Sequence, residues 1–436
     1  MKIIKERLKM NPILPSKYFV PDGEAHCWQD GRMYIYGSMD LNGDTTYCSQ
    51  HYQVFSSENL IDWVGHGVSF STLDKKVGET WFESTLYAPD CIFKDGKYYL
   101  YFCTSGNGEG VATSDSPYGP FENPVAVKGA HLDAIDPTAF VDDDGQAYLY
   151  WGQFHCRGAR LNADMTSIDE TTLNTELINE PVHGFHEGPS VRKRNGLYYL
   201  VYTDTSRGKA TCLAYATSKS PLGPFEKRGI IIDNDGCDPQ SWNNHGSIAE
   251  FNGKWFVFYH RSSHNSKYSR RACAEPIQFN ADGSINEVEM TTQGVSGPMD
   301  PMTFIEGGQA CKIGGRGDSF ARVLEPKDDK DTWKDCLTHT HWGTWAAYKY
   351  IDFDQPVTTF EAIVSSAAYG GIIDICLDSP EGEIIGKCIV SPTGGWEQWQ
   401  TFACEIKKVS GIHAIYLVFQ GRWIGRLMDL RGFRFY

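Results

Sequence analysis

Three carboxylates stand at one repeated distance ahead of a glycine. Asp22 in PDGEAHCWQDG, Asp136 in IDPTAFVDDDG and Glu187 in HEGPSVRKRNG each lie nine residues before a turn glycine, Gly31, Gly145 and Gly196 respectively, and each adjoins a Pro or a Gly. A single acid beside a turn is ordinarily a solvated cap. Three acids in one phase of a repeat can instead converge on one pocket, where mutual repulsion raises the pKa of at least one of them. One carboxyl can then donate a proton while another accepts one. Glycoside hydrolysis needs such a set and no redox cofactor: a general acid acts on the leaving oxygen, and a second carboxylate attacks or activates water. A third acid can tune and orient the donor.

The element that must position these acids is written five times. QDGRMYIYG (29–37), KDGKYYLYF (94–102), DDGQAYLYW (143–151), RNGLYYLVY (194–202) and FNGKWFVFY (251–259) each combine an Asx-Gly turn with an aromatic and β-branched strand, the sequence signature of a β-hairpin. Their glycines, Gly31, Gly96, Gly145, Gly196 and Gly253, are 65, 49, 51 and 57 residues apart. A period near fifty with several strands per unit predicts an all-β chain whose first part is a five-bladed propeller. ATSDSPYGPFE (112–122) and ATSKSPLGPFE (216–226) repeat at the same offset after their hairpins and read as third strands that turn toward a fourth. The strand before each Asx-Gly turn would line the central channel. Counting back in the same way gives Tyr87, with Asp90 three residues on, in the second unit, and Asn244, beside His245, in the fifth.

Bulk properties narrow the partner. The chain has 436 residues, 13% of them aromatic, and a formal charge of −15, which disfavours nucleic acid and anionic membranes and suits a neutral substrate. No stretch approaches a membrane span, and MKIIKERLKMNPILP lacks the apolar run of a secretory signal. The thirteen cysteines are scattered without a C-x-x-C pair and read as buried thiols. These features predict a cytoplasmic address, or a secreted one if a leader precedes the chain.

NPILPSKYFVPDGE, LYAPDCIFKDGKYYLYF, IDPTAFVDDDGQAYLYWG, HEGPSVRKRNGLYYLVY and NNHGSIAEFNGKWFVFYHR together resemble glycoside hydrolase family 43, five-bladed propellers that include arabinofuranosidases, xylosidases and arabinanases. The resemblance implies an inverting mechanism, with Asp22 as base, Asp136 as the tuning acid and Glu187 as the general acid. The base context is PDGE where the family has a DPS-type string, so Glu24 is a rival for that role. By the same resemblance Tyr87 walls the sugar subsite, Arg270 or Arg271 contacts the sugar, and His245 lies near a structural calcium ion in the channel. No cofactor is implied for the chemistry.

After MTTQGVSGPMDP the pattern changes, which divides the chain into 1–302 and 303–436. The second part alternates as a β-sandwich and resembles a family 6 carbohydrate-binding module, with Trp345 and Trp396 in plausible sugar-platform positions. Leu427 stands where that family often has Asn, so a purely structural sandwich is the other reading. The function expected is an exo-acting α-L-arabinofuranosidase on arabinan- or arabinoxylan-derived plant cell-wall oligosaccharides, with a β-D-xylosidase or a non-catalytic sugar-binding propeller as alternatives. HGFHE (183–187) has neither the spacing nor the helix that a zinc-hydrolase motif needs.

Overall fold

The computed structural model describes residues 10–104, 108–131, 134–328, 331–422 and 425–436. The part of the N-terminal stretch that was read for a leader, up to residue 9, lies outside the described residues. Five antiparallel sheets follow one another along the chain, each built from sequential neighbours. Their innermost strands are Glu24–Cys27, Asp90–Lys94, Thr138–Val141, Phe185–Arg194 and Ser247–Phe251. The first four sheets have four strands and the fifth has three. The five-bladed propeller expected from the hairpin repeat is what forms, and both ATS repeats are third strands, in Gly108–Ser114 and Cys212–Ser218.

Local chemistry explains the hairpins. In Asp95-Gly96, Asn195-Gly196 and Asn252-Gly253 both residues have positive φ (50° and 84°, 50° and 78°, 51° and 75°). That is the two-residue turn whose twist matches paired strands, and Asx-Gly adopts it at least cost. Strand alternation then distributes side chains to the two neighbouring blades. In MYIY of blade one, Met33 and Ile35 pack with Phe256 and Phe258 of blade five, whereas Tyr34 and Tyr36 pack with Leu100 and Phe102 of blade two. The same division builds the layers between blades two and three, three and four, and four and five.

The ring is closed by its own N-terminal segment. The Ile13 N–H donates to Ala272 O at 2.9 Å, beside the last strand of blade five, and Gly23 bridges Gly246 in parallel register. Residue 13 therefore supplies the edge that the three-stranded blade lacks.

The remaining strands form a sandwich of two antiparallel sheets. One runs in the order Phe320–Leu324, Lys334–Thr340, Met428–Phe435, Thr359–Ser366, Gly395–Glu405. The other runs Lys312–Gly314, Trp345–Asp352, Ile412–Gln420, Gly371–Leu377, Ile384–Val390. The second sheet packs on the layer between blades four and five through Ala347, Tyr416 and Val418, which share a core with Val201, Leu213 and Val257.

Arg271 fastens this junction. Its guanidinium lies 2.5 Å from Asp335 of the sandwich, both side chains being almost fully buried. Sequence reading offered Arg271 as a sugar contact. Consecutive residues on a strand face opposite ways, so with Arg270 turned toward the channel, Arg271 points to the sandwich. Removing one member of a buried pair strands a charge at a cost of about 3–5 kcal/mol. Arg271→Met is therefore expected to lower unfolding free energy by that order in a denaturant titration, while hydrolytic rates well below the melting temperature stay within about twofold.

Candidate active site

Asp22, Asp136 and Glu187 meet in one pocket of about 240 Å³ at one end of the propeller channel. They come from three blades, one just before or within each innermost strand, as the shared nine-residue phase requires. Asp22 and Asp136 both hold left-handed backbone, with φ of 59° and 54°. Asp tolerates that region better than most residues, and such conformations persist where surrounding structure enforces them. Each acid thus leaves the strand with its carboxyl turned into the pocket.

The three carboxyls are not equivalent. Burial alone would raise Asp22, but Arg270 and a hydrogen bond from Ser38 outweigh it and hold its carboxyl below the ordinary value. Arg270 Nη1 is 2.9 Å from Asp22 Oδ1, and Ser38 Oγ donates to Asp22 Oδ2 at 2.7 Å. The same guanidinium donates from Nε and Nη2 to both oxygens of buried Asp40, each at 2.9 Å. Asp136 accepts a backbone hydrogen bond from Gly188 and feels Arg270 only at a distance. Burial, together with the charges of Glu187 and Asp22, pushes it well above the usual carboxylate range. Glu187 accepts a hydrogen bond from Gln153 Nε2 at 2.8 Å. The cluster therefore holds an ionised carboxylate on its Arg270 side and a retained proton on its Asp136 side, the arrangement that acid–base chemistry on one bond requires.

Further along the innermost strands a buried ionic network links the blades across the channel. Glu24 Oε2 accepts from Arg192 Nη2 at 2.8 Å and from Ser190 Oγ at 3.1 Å. Asp90 binds His26 at 2.7 Å and accepts from Thr138 Oγ1 at 2.8 Å. Glu24, pushed up to about 8 by burial, does not line the pocket, so its rivalry for the base falls away, and Asp90 is a structural residue.

The donors do not suit the calcium ion that the resemblance implied. Calcium takes about six to eight oxygen ligands. His245 Nδ1 has two carboxylate oxygens at 3.8 Å, from Asp22 and Asp136, and Asp22 already carries Arg270. In the channel, Glu24, His26 and Asp90 bring their ligand atoms within 4.8 Å of one another. Arg192 lies among them, with Nη2 3.4 Å from His26 Nε2, and occupies the place of a cation.

The structure brings Tyr87, Arg270 and His245 to the pocket wall beside the three acids. Arg271, Trp345 and Trp396 lie elsewhere. Trp345 packs against Tyr416, ring centroids 5.6 Å apart, in the layer between sandwich and propeller. Trp396 is half-buried beneath the Arg426 guanidinium, 3.9 Å from its ring centroid. Sequence reading missed Tyr47, Gln153, His186 and Trp242, which also line the wall. Trp242 stands two residues before Asn244 in SWNNHG, so the phase count that found Asn244 passed next to it.

Comparison with known proteins gives a consistent picture. Residues 9–285 match the model for Glycosyl hydrolases family 43, and residues 320–436 match Carbohydrate binding module (family 6). A xylosidase/arabinosidase of Thermoclostridium stercorarium is 29% identical over 95% of this chain and 96% of its own length. An arabinoxylan arabinofuranohydrolase of Bacillus subtilis strain 168 is 29% identical over 93% of this chain and 88% of its own. Among solved structures, a family 43 arabinoxylan arabinofuranohydrolase from Bacillus subtilis in complex with cellotetraose aligns with a TM-score of 0.57 at 27% identity, covering 98% of this chain and 97% of that one.

Gly188 lets the wall close. Its φ is 65°, and a Cβ there would come within 2.8 Å of the His245 ring. At Gly196 φ is 78°, but a Cβ would meet nothing within 4 Å. Gly196→Ala is expected to cost about 1–2 kcal/mol, the left-handed penalty alone. Gly188→Ala should cost clearly more in the same denaturant titration, and equal costs would show that the His245 contact contributes nothing.

Proposed function

Because the chain belongs to glycosyl hydrolases family 43, we propose that it is an inverting, exo-acting α-L-arabinofuranosidase that removes terminal arabinosyl groups from arabinoxylan- or arabinan-derived oligosaccharides. The observation that carries this reading is the convergence of three carboxyls in one small pocket, with Arg270 paired to only one of them. Asp22, held ionised by Arg270, abstracts a proton from the attacking water, and Glu187 protonates the glycosidic oxygen as the bond breaks. The proton that this side of the pocket retains passes through Glu187 to the glycosidic oxygen, and Asp136 orients Glu187 for the transfer. A purely sugar-binding propeller has no use for two buried aspartates and a half-buried glutamate gathered in this way. The small volume of the pocket supports exo action, since it has room for a chain end or a single side group. Family 43 chemistry needs no cofactor, and every step above is carried by the chain's own residues.

Relatives whose names join xylosidase to arabinosidase keep β-D-xylosidase as the second reading. All thirteen cysteines are free thiols, eleven of them buried, and this supports a reducing, cytoplasmic address for an enzyme acting on imported oligosaccharides.

The pH dependence follows from the two shifted acids. Asp22 is depressed, so its charge is present at neutral pH and is lost only as pH falls below the ordinary carboxylate range of about 3.9. Asp136 is raised and gives up its proton only as pH climbs well above that range. The kcat/KM profile is expected to be bell-shaped, with its acid limb below about pH 4. Ser38→Ala removes one hydrogen bond to the Asp22 carboxylate and should move that limb up by about one unit. A limb that does not move would mean that Asp22 is not the base.

Identity of the sugar and of the proton donor can be read together. Initial rates on aryl α-L-arabinofuranosides and aryl β-D-xylosides, for wild type and Glu187→Ala, should show turnover of the arabinoside. The variant should lose at least about a hundredfold where the leaving group is poor and far less where it is good, since general acid catalysis contributes roughly 10²–10⁴. Turnover of the xyloside alone would select the second reading, and uniform loss regardless of leaving group would remove Glu187 from the acid role.

A further inference from the structure

The catalytic pocket does not end at its rim. Trp242, 49% exposed, lines it and also lines a second, larger cavity of about 590 Å³. That cavity shares Gly43 and His264 with a third, of about 550 Å³, whose far side is formed by the sandwich strand that carries Glu397 and Trp399. Consecutive cavities with common lining residues make one path from the acids, over the propeller rim, to the second domain. At the saddle between the two outer cavities, a Cβ on Gly43 would meet nothing within 4 Å, so the path is open there.

Its lining suits a neutral sugar chain. In the second cavity the rings of Trp242 and Tyr268 and the polar groups of Thr45, Gln240, Ser241 and Ser266 are groups that sugars use for stacking and hydrogen bonding, and Asp44, Lys209 and Lys267 add charges of both signs. In the third, Arg322, Lys327 and Lys334 are balanced by Glu325, Asp331 and Glu397 around Trp399, so neither sign of charge is selected. The two domains are also fixed to each other along the path. Asn42 Nδ2 donates to Glu325 Oε1 at 2.8 Å, and the Val323 N–H donates to His264 Nε2 at 3.1 Å.

We propose that this path is the binding groove for the backbone that bears the cleaved arabinosyl group, and that Trp399 of the sandwich is a substrate-binding residue of the hydrolase. The inference rests on the arabinoxylan reading above and names the ligand class as an unsubstituted β-linked xylopyranose chain of several residues. The sandwich then acts on specificity through the face it turns to the propeller, separately from the Trp396 and Arg426 stack.

The test is calorimetric binding of xylohexaose and xylobiose to full-length Glu187→Gln protein, so that it does not depend on turnover. Xylohexaose should bind at least about tenfold more tightly than xylobiose. Adding Trp399→Ala should weaken xylohexaose about tenfold and leave xylobiose within twofold. Gly43→Asn, a residue tolerated at positive φ, places a side chain on the saddle without touching the sandwich core and should have the same length-selective effect. The proposal is overturned if both variants bind xylohexaose as the parent does, if the two oligosaccharides bind equally, or if the loss follows Trp396→Ala instead. The arabinofuranosidase reading fails by a separate result, namely absence of arabinoside turnover by wild type.

Discussion

One guanidinium organises the centre of this molecule. Arg270 is almost fully buried and reaches Asp22 with one nitrogen and Asp40 with two others. Burying three charges together is costly, and the arrangement holds only because nearly every donor has a carboxylate in good geometry. The consequence spreads outward. With Asp22 ionised, buried Asp136 faces negative neighbours and is pushed toward its protonated form, and His245 and His260 beside the same cation stay neutral, the latter drawn down to about 3 by burial and Arg270. The asymmetry among acids of like kind comes from one cation placed on one side of them.

Much of the scaffold was legible because its signals are local. An Asx-Gly pair before an aromatic, β-branched run needs no tertiary context to form a hairpin, and five of them at similar spacing leave few closed arrangements other than a ring of blades. Counting a fixed phase back from each glycine then finds the acids, since rotation about the ring axis carries one blade's position onto the next. The count also found Tyr87 and placed His245 at the wall.

What stayed hidden depends on partners far along the chain. Arg270 and Arg271 are adjacent, and nothing in RRACAEPI says which faces the channel; that is fixed by Asp40 on one side and Asp335 on the other, 230 and 64 residues away. Trp345 reads as an exposed platform until Tyr416 and the propeller edge are seen to cover it. Gln153, in WGQFH, is recognisable only once Glu187 has been set against it from another blade. The resemblance put a calcium ion near His245, but nothing in the sequence showed that Arg192 stands as the cation in the channel.

Ring closure has a consequence for synthesis on the ribosome. Asp22 and its charge partner Arg270 are 248 residues apart, and the strand edge that completes blade five is contributed by residue 13. Blades two to four can pair internally as they emerge, because their strands are sequential neighbours. The first blade must wait with an unmatched inner face and a buried acid lacking its counter-ion until the last blade is made. The nascent chain therefore carries no competent pocket until almost the whole propeller has left the exit tunnel, and hydrolytic capacity appears in one late step rather than blade by blade.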